Sequence, residues 1–139
     1  MTVRRLVGFA FSLFFLMAPS MGWAAGSIDI ARGPDETVFG SCVPSLVVQN
    51  KSGETIDYLQ VDLEIALADG QQRTVELKSA YREGVLYPIL PGGGATLKQH
   101  LDTSRALGVP CSDVKARRVR HTVCEAGGKA CTSAVSVTP

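Results

Sequence analysis

From Leu59 the chain alternates strictly. In LQVDLEIAL, Leu59, Val61, Leu63, Ile65 and Leu67 fall on one side, with Gln60, Asp62, Glu64 and Ala66 on the other. A two-residue period is that of a half-buried β-strand, and helical spacing fits it poorly. Asp69-Gly70 supplies a hairpin turn, after which RTVELKS returns with Val75 and Leu77 inward. ATLKQHL repeats the pattern, with Ala95, Leu97 and Leu101 inward and Thr96, Lys98 and His100 outward. SLVVQN is a more continuous apolar run, suited to a central strand, and it ends at the turn NKSGET. VKARRVRHTVC and TSAVSV complete the series, while GPDE, ADG, PGGG and AGG mark turns. Only TSRALG, Thr103 to Gly108, has the makings of a short helix.

Many short strands with regular turns predict an all-β protein, an antiparallel β-sandwich of about seven strands. The strands differ in length and pattern, which favours a sandwich over the alternative, a closed ligand barrel with more even strands. No repeat or low-complexity linker divides the chain, so one domain is expected over 25–139.

The run NKSGETIDYLQVDLEIALADGQ, followed by ILPGGGATLKQHL, resembles a pattern of small exported bacterial sandwiches. There a turn precedes a long strand, an Asp-Gly hairpin follows, and a Pro-Gly corner launches another strand. The likeness covers Ser45 to Leu101. It is to the immunoglobulin/fibronectin-III-like group, which includes FxLYD-type domains and the interleukin-receptor-mimic (IrmA-like) proteins. The resemblance implies a fold and carries over no functional residue. The core Trp of antibody domains is absent.

Residues 1–24 have a different character. MTVRR is a basic start, LVGFAFSLFFLMAP an apolar run, and Gly22 and Ala24 are small residues at a cleavage site. This is the pattern of a secretory signal peptide cut after Ala24, and the apolar run is shorter than the roughly 20 residues of a membrane span. An exported protein, periplasmic or extracellular, is expected, with no membrane insertion once the leader is gone. Without Arg4 and Arg5 the chain carries 12 Lys+Arg against 13 Asp+Glu. That balance predicts neither nucleic-acid binding nor strong attraction to a membrane surface. Phe39, Tyr58, Tyr81 and Tyr87 are the aromatic residues that stay.

All four cysteines, Cys42, Cys111, Cys124 and Cys131, lie beyond the leader, and an even count in an exported chain reads as a disulfide framework. Neither the C-x-x-C of a redox site nor the close pairs of structural zinc are present. If AGGK is a hairpin loop, Glu125 pairs with Ala130, and Cys124 faces Cys131 at a non-hydrogen-bonded position. Cys42–Cys111 then bridges distant segments, a pairing favoured over the two others. Cys124 is out of phase with Val119 and Val123, a conflict that a bulge would reconcile.

Candidate chemistry is sparse. No G-x-S-x-G, phosphate loop or H-E-x-x-H occurs, and Asp62 and Glu64 share a polar strand face without an evident cleft. His100 and His121 read as surface histidines. No metal or cofactor is expected, and the chain reads as a non-enzyme. KARRVRH concentrates charge, and Lys115, Arg117, Arg118 and Arg120 are candidates for an anion- or acidic-partner face. Alternation splits it, with Arg118 and Arg120 on one side and Lys115, Arg117 and His121 on the other. The segment SAYREGVLYPILPGGG gathers Tyr and aliphatic residues with little polar relief. Tyr81, Arg82 and Tyr87 are the candidate partner-binding residues there, because Tyr and Arg are favoured interface anchors. The expected function is an exported protein-binding module. Its rivals are a periplasmic accessory or chaperone-like subunit of an envelope assembly and a small enzyme inhibitor.

Overall fold

The computed structural model of the chain describes residues 26–79, 81–82, 85–99 and 107–139, with backbone alone for 81–82 and 85–86. The leader, His100, Leu101 and positions 103–106 of the expected helix lie outside these residues.

In chain order the strands are β1 (Ser27–Arg32), β2 (Glu36–Val38), β3 (Ser41–Val43), β4 (Ser45–Asn50), β5 (Tyr58–Leu67) and β6 (Gln72–Lys78). They continue with β7 (Tyr81–Arg82), β8 (Val85–Leu86), β9 (Gly94–Lys98), β10 (Val114–Ala126), β11 (Lys129–Ala130) and β12 (Ala134–Thr138). A single 3-10 turn, Cys111–Asp113, precedes β10 among the described residues.

Eight strands form one hydrogen-bonded series in the order β11-β10-β5-β6-β9-β4-β1-β12. Its middle is thin, because β6 meets β9 through the single pair Lys78 and Lys98. The series is therefore two four-stranded halves joined at one corner. Leu59, Val61, Leu63 and Ile65 of β5 share one buried cluster with Ile28 and Ile30 of β1, Leu46 and Val48 of β4, and Leu97 of β9. Side chains from both halves fill one core, so the halves face each other as a sandwich. Each fully buried Leu, Ile or Val contributes roughly 1.5–3 kcal/mol relative to exposure.

One junction is parallel. β12 runs alongside β1, with Val135 opposite Ile28 and Val137 opposite Ile30. A chain leaving β11 cannot reach the other half by a tight turn, and residues 131–133 carry it across the gap between the sheets. The Glu54 carboxylate holds that crossing. It accepts the Thr132 and Ser133 N–H groups at 3.0 and 2.8 Å and the Thr132 hydroxyl at 2.9 Å. The Thr132 N–H first, then the groups of Ser133, depress the Glu54 carboxyl to about 2.

The phase conflict along β10 is resolved by two bulges. Register shifts fall between Val114 and Ala116 and between Val119 and His121, leaving Lys115 and Arg120 as the extra residues. Past the second bulge Thr122 stands opposite Val61 and Cys124 opposite Leu59, both on the core face. Val123 and His121 consequently face outward, opposite Gln60 and Asp62. His121 is exposed, as expected of a surface histidine, but it shares the outer face with Arg118 and not a face with Arg117.

The AGGK loop closes as expected, with Glu125 opposite Ala130 and a turn at Gly127-Gly128, both at positive φ. Cys124 is bonded to Cys131, and Cys42 to Cys111. The Cys131 N–H donates to the Cys124 carbonyl at 3.0 Å, and their Cα atoms lie 5.4 Å apart. That is the spacing of a hydrogen-bonded pair, not the non-hydrogen-bonded site that the sequence suggested.

Candidate functional site

The corner after β8 begins with a buried amide. Asn50 is fully buried at the end of β4, and all of its side-chain capacity is used. Its Nδ2 donates to the carbonyls of Glu54 and Ile89 at 2.8 and 3.0 Å, and its Oδ1 accepts the Ser52 N–H at 3.0 Å and the Ser52 hydroxyl at 2.6 Å. Ile89 is also tied to Ile56 by reciprocal backbone bonds of 2.8 and 3.0 Å. The Gly93 N–H donates to the Leu90 carbonyl at 2.8 Å, and Gly92 turns the chain at φ 76°, where a side chain would be strained.

Five residues, Tyr87-Pro88-Ile89-Leu90-Pro91, are thus clamped around the buried Ile89, and two of the five are prolines. Tyr87 is 53% exposed and Leu90 59%. The side chains of Tyr81 and Arg82 lie outside the described residues. Their backbone forms β7, with Tyr81 opposite Leu86 in β8. Leu90 belongs to the apolar segment already singled out in the sequence, whereas the role of Asn50 is not evident there. The available signal was N-K-S, an Asx-type turn immediately after a strand.

The basic strand is divided by its bulges. Arg118 and Arg120 share the outer face, and both donate to the two oxygens of Glu64, Arg120 at 2.9 Å. With both arginines well exposed, these bonds contribute at most about 1 kcal/mol each. Lys115 is outward too and donates to the Ser112 carbonyl at 3.1 Å. Arg117 is turned inward opposite Ile65, with a side chain 4% exposed. Its Nη2 lies 2.6 Å from Asp35, which also accepts Arg32 Nη2 at 2.7 Å. Burial raises the Asp35 carboxyl, but the hydrogen bonds from Arg117 and Arg32 outweigh it and leave the group below the usual carboxylate range. Arg117 Nε and Nη1 and Asp35 Oδ1 have no partner.

Asp35 also lies beside the long bridge. Its carboxylate and the sulfurs of Cys42 and Cys111 fall within 4.8 Å of one another, the one such potential ligand group among the described residues. Both sulfurs are joined in the disulfide and are not thiolates able to ligate. Glu64 is taken by two arginines, and Asp62 accepts Gln60 Nε2 at 2.7 Å, so that carboxylate pair is engaged in surface contacts. Among the described residues no helix is long and apolar enough to cross a membrane.

Fold and bridges define the class: a small, disulfide-stapled sandwich of the immunoglobulin/fibronectin-III-like kind. Among solved structures, the chain is similar to IrmA from Escherichia coli, with a TM-score of 0.55 and 12% identity over 81% of this chain and 91% of that one. The likeness is one of fold, and it agrees with the resemblance read from the sequence. No protein-family model and no curated protein matches the chain.

Proposed function

We propose that the protein is an exported, non-catalytic module that binds another protein through the Tyr87–Leu90 corner. The carrying observation is the combination of two exposed apolar side chains with a backbone fixed by Asn50, Ile56 and Gly93. Ordering an interface costs free energy, and a corner already fixed avoids part of that cost. Tyr81 and Arg82, on the strand paired with the β8 segment that leads into the corner, extend the contact. Lys115, Arg118 and Arg120 steer an acidic partner by long-range attraction. Export is supported by the leader-like first 24 residues and by four cysteines joined in two bridges. The test is capture from envelope extract with the purified protein as bait, beside a Tyr87→Ala/Leu90→Ala bait of equal thermal stability. A protein retained by the first and lost by the second is expected. Equal retention by both refutes the corner.

A further inference from the structure

The β2–β3 hairpin ends in Val38-Phe39-Gly40-Ser41, and its tip breaks two local rules at once. Phe39 is 100% exposed, although aromatic rings bring the largest gain from burial. It also stands at φ 50°, followed by Gly40 at φ 78°. A two-residue turn of this kind favours Asn-Gly or Gly-Gly, because a bulky side chain in the left-handed region is strained. Phe39 is the sole non-glycine residue with positive φ among the described residues. A strained, solvated ring gives the fold nothing that Asn would not give better.

The hairpin that carries it is held firmly. Cys42 is bonded to Cys111, and its N–H donates to the Val109 carbonyl at 2.7 Å. Ser41 Oγ accepts the Gly108 N–H at 2.8 Å, and Glu36 is bound by Lys98 Nζ at 2.5 Å. β2 and β3 pair in register from Glu36–Val43 to Val38–Ser41. A ring with two side-chain torsions is thereby presented on a fixed stalk, a low-entropy anchor.

We infer that Phe39 is the tip of a rigid finger that enters a preformed apolar pocket of a protein partner, a second contact resting on the protein-binding reading above. A lipid surface fits less well. Interfacial binding needs several apolar side chains with cations beside them. Here the tip offers one ring, the charged residue of the hairpin is Glu36, and the cation beside it is engaged by that carboxylate.

The experiment places a photo-reactive phenylalanine analogue at position 39, at 87, or at exposed Gln72 as control, in the full chain made in its own cells. The protein cross-linked from position 39 is purified and titrated with wild type, Phe39→Ala and Phe39→Asn. Expected are a cross-link from 39 absent from 72, binding about thirtyfold weaker in both variants, and a melting temperature of Phe39→Asn no lower than that of wild type. Cross-linking from 87 but not 39 overturns the finger and spares the corner; cross-linking from neither overturns both. Unchanged affinity in the variants, a lowered melting temperature for Phe39→Asn, or Phe39-dependent binding to phosphatidylethanolamine/phosphatidylglycerol vesicles each overturns the finger.

Discussion

Arg117 lies 2.6 Å from Asp35 on the core side of β10, in a strand whose basic composition suggests an outward face. The bulge at Lys115 turns it there, and Asp35 meets it from the loop between β1 and β2. Removing one member of a buried ion pair leaves the other uncompensated, whereas removing both is far less harmful. Asp35→Ala is therefore expected to destabilise the fold by about 3 kcal/mol. Adding Arg117→Met should recover most of that loss. Chemical denaturation of the four-member mutant cycle checks it; additive losses contradict the pairing.

The two bridges differ in what they close. Cys42–Cys111 spans 69 residues and Cys124–Cys131 spans 7. Loop-closure entropy gives about 4 kcal/mol for the first and about 2.5 for the second. Paired Cys→Ala variants should lose stability in that order, with the larger loss at the long bridge. Non-reduced peptide mapping should recover these two links, and a Cys42–Cys131 peptide would refute the pairing.

Acid should loosen the crossing between the halves. The folded-state carboxyl of Glu54 is lowered from 4.5 to about 2. A depressed carboxylate contributes stability above its unfolded value, and this contribution fades as pH falls from about 4.5 towards 2. Glu54→Gln is expected to flatten the pH dependence of the unfolding midpoint in that window while lowering the midpoint at neutral pH. An unchanged slope contradicts the role given to Thr132 and Ser133.

Export makes a prediction about mass. Protein recovered from the envelope or the medium should weigh what Ala25–Pro139 weighs with four cysteines oxidised. The full-length mass there refutes cleavage after Ala24.

Legibility in the sequence follows the reach of each interaction. β5 is plain in LQVDLEIAL because each residue declares its own face, and the Asp-Gly and Gly-Gly turns are equally local. The phase of Cys124 asks for a bulge, but the positions of the two bulges are not legible: in KARRVR one extra polar residue leaves no mark on a polar run. With the positions of the bulges hidden, so were the inward Arg117 and the side of the sheet on which Cys124 lies. The β2–β3 hairpin sits in GPDETVFGSC, a stretch rich in turn residues and too short for a two-residue period. The parallel pairing of β12 with β1 joins residues more than 100 apart, which no local pattern encodes. Tyr87 was visible as an aromatic residue in a polar-poor segment. Its rigid presentation depends on Asn50, whose side-chain amide donates to the Ile89 carbonyl 39 positions later, a contact that only the fold makes.

The central claim is that the clamped corner binds a protein, and equilibrium titration of the captured partner with wild type and Tyr87→Ala tests it most directly. Tyr87 is half exposed, so its removal should leave the circular dichroism spectrum and the melting transition in place. Affinity should fall about thirtyfold, the loss of roughly 2 kcal/mol typical of an interface anchor. Wild-type affinity in Tyr87→Ala, or a variant that no longer folds, contradicts the account.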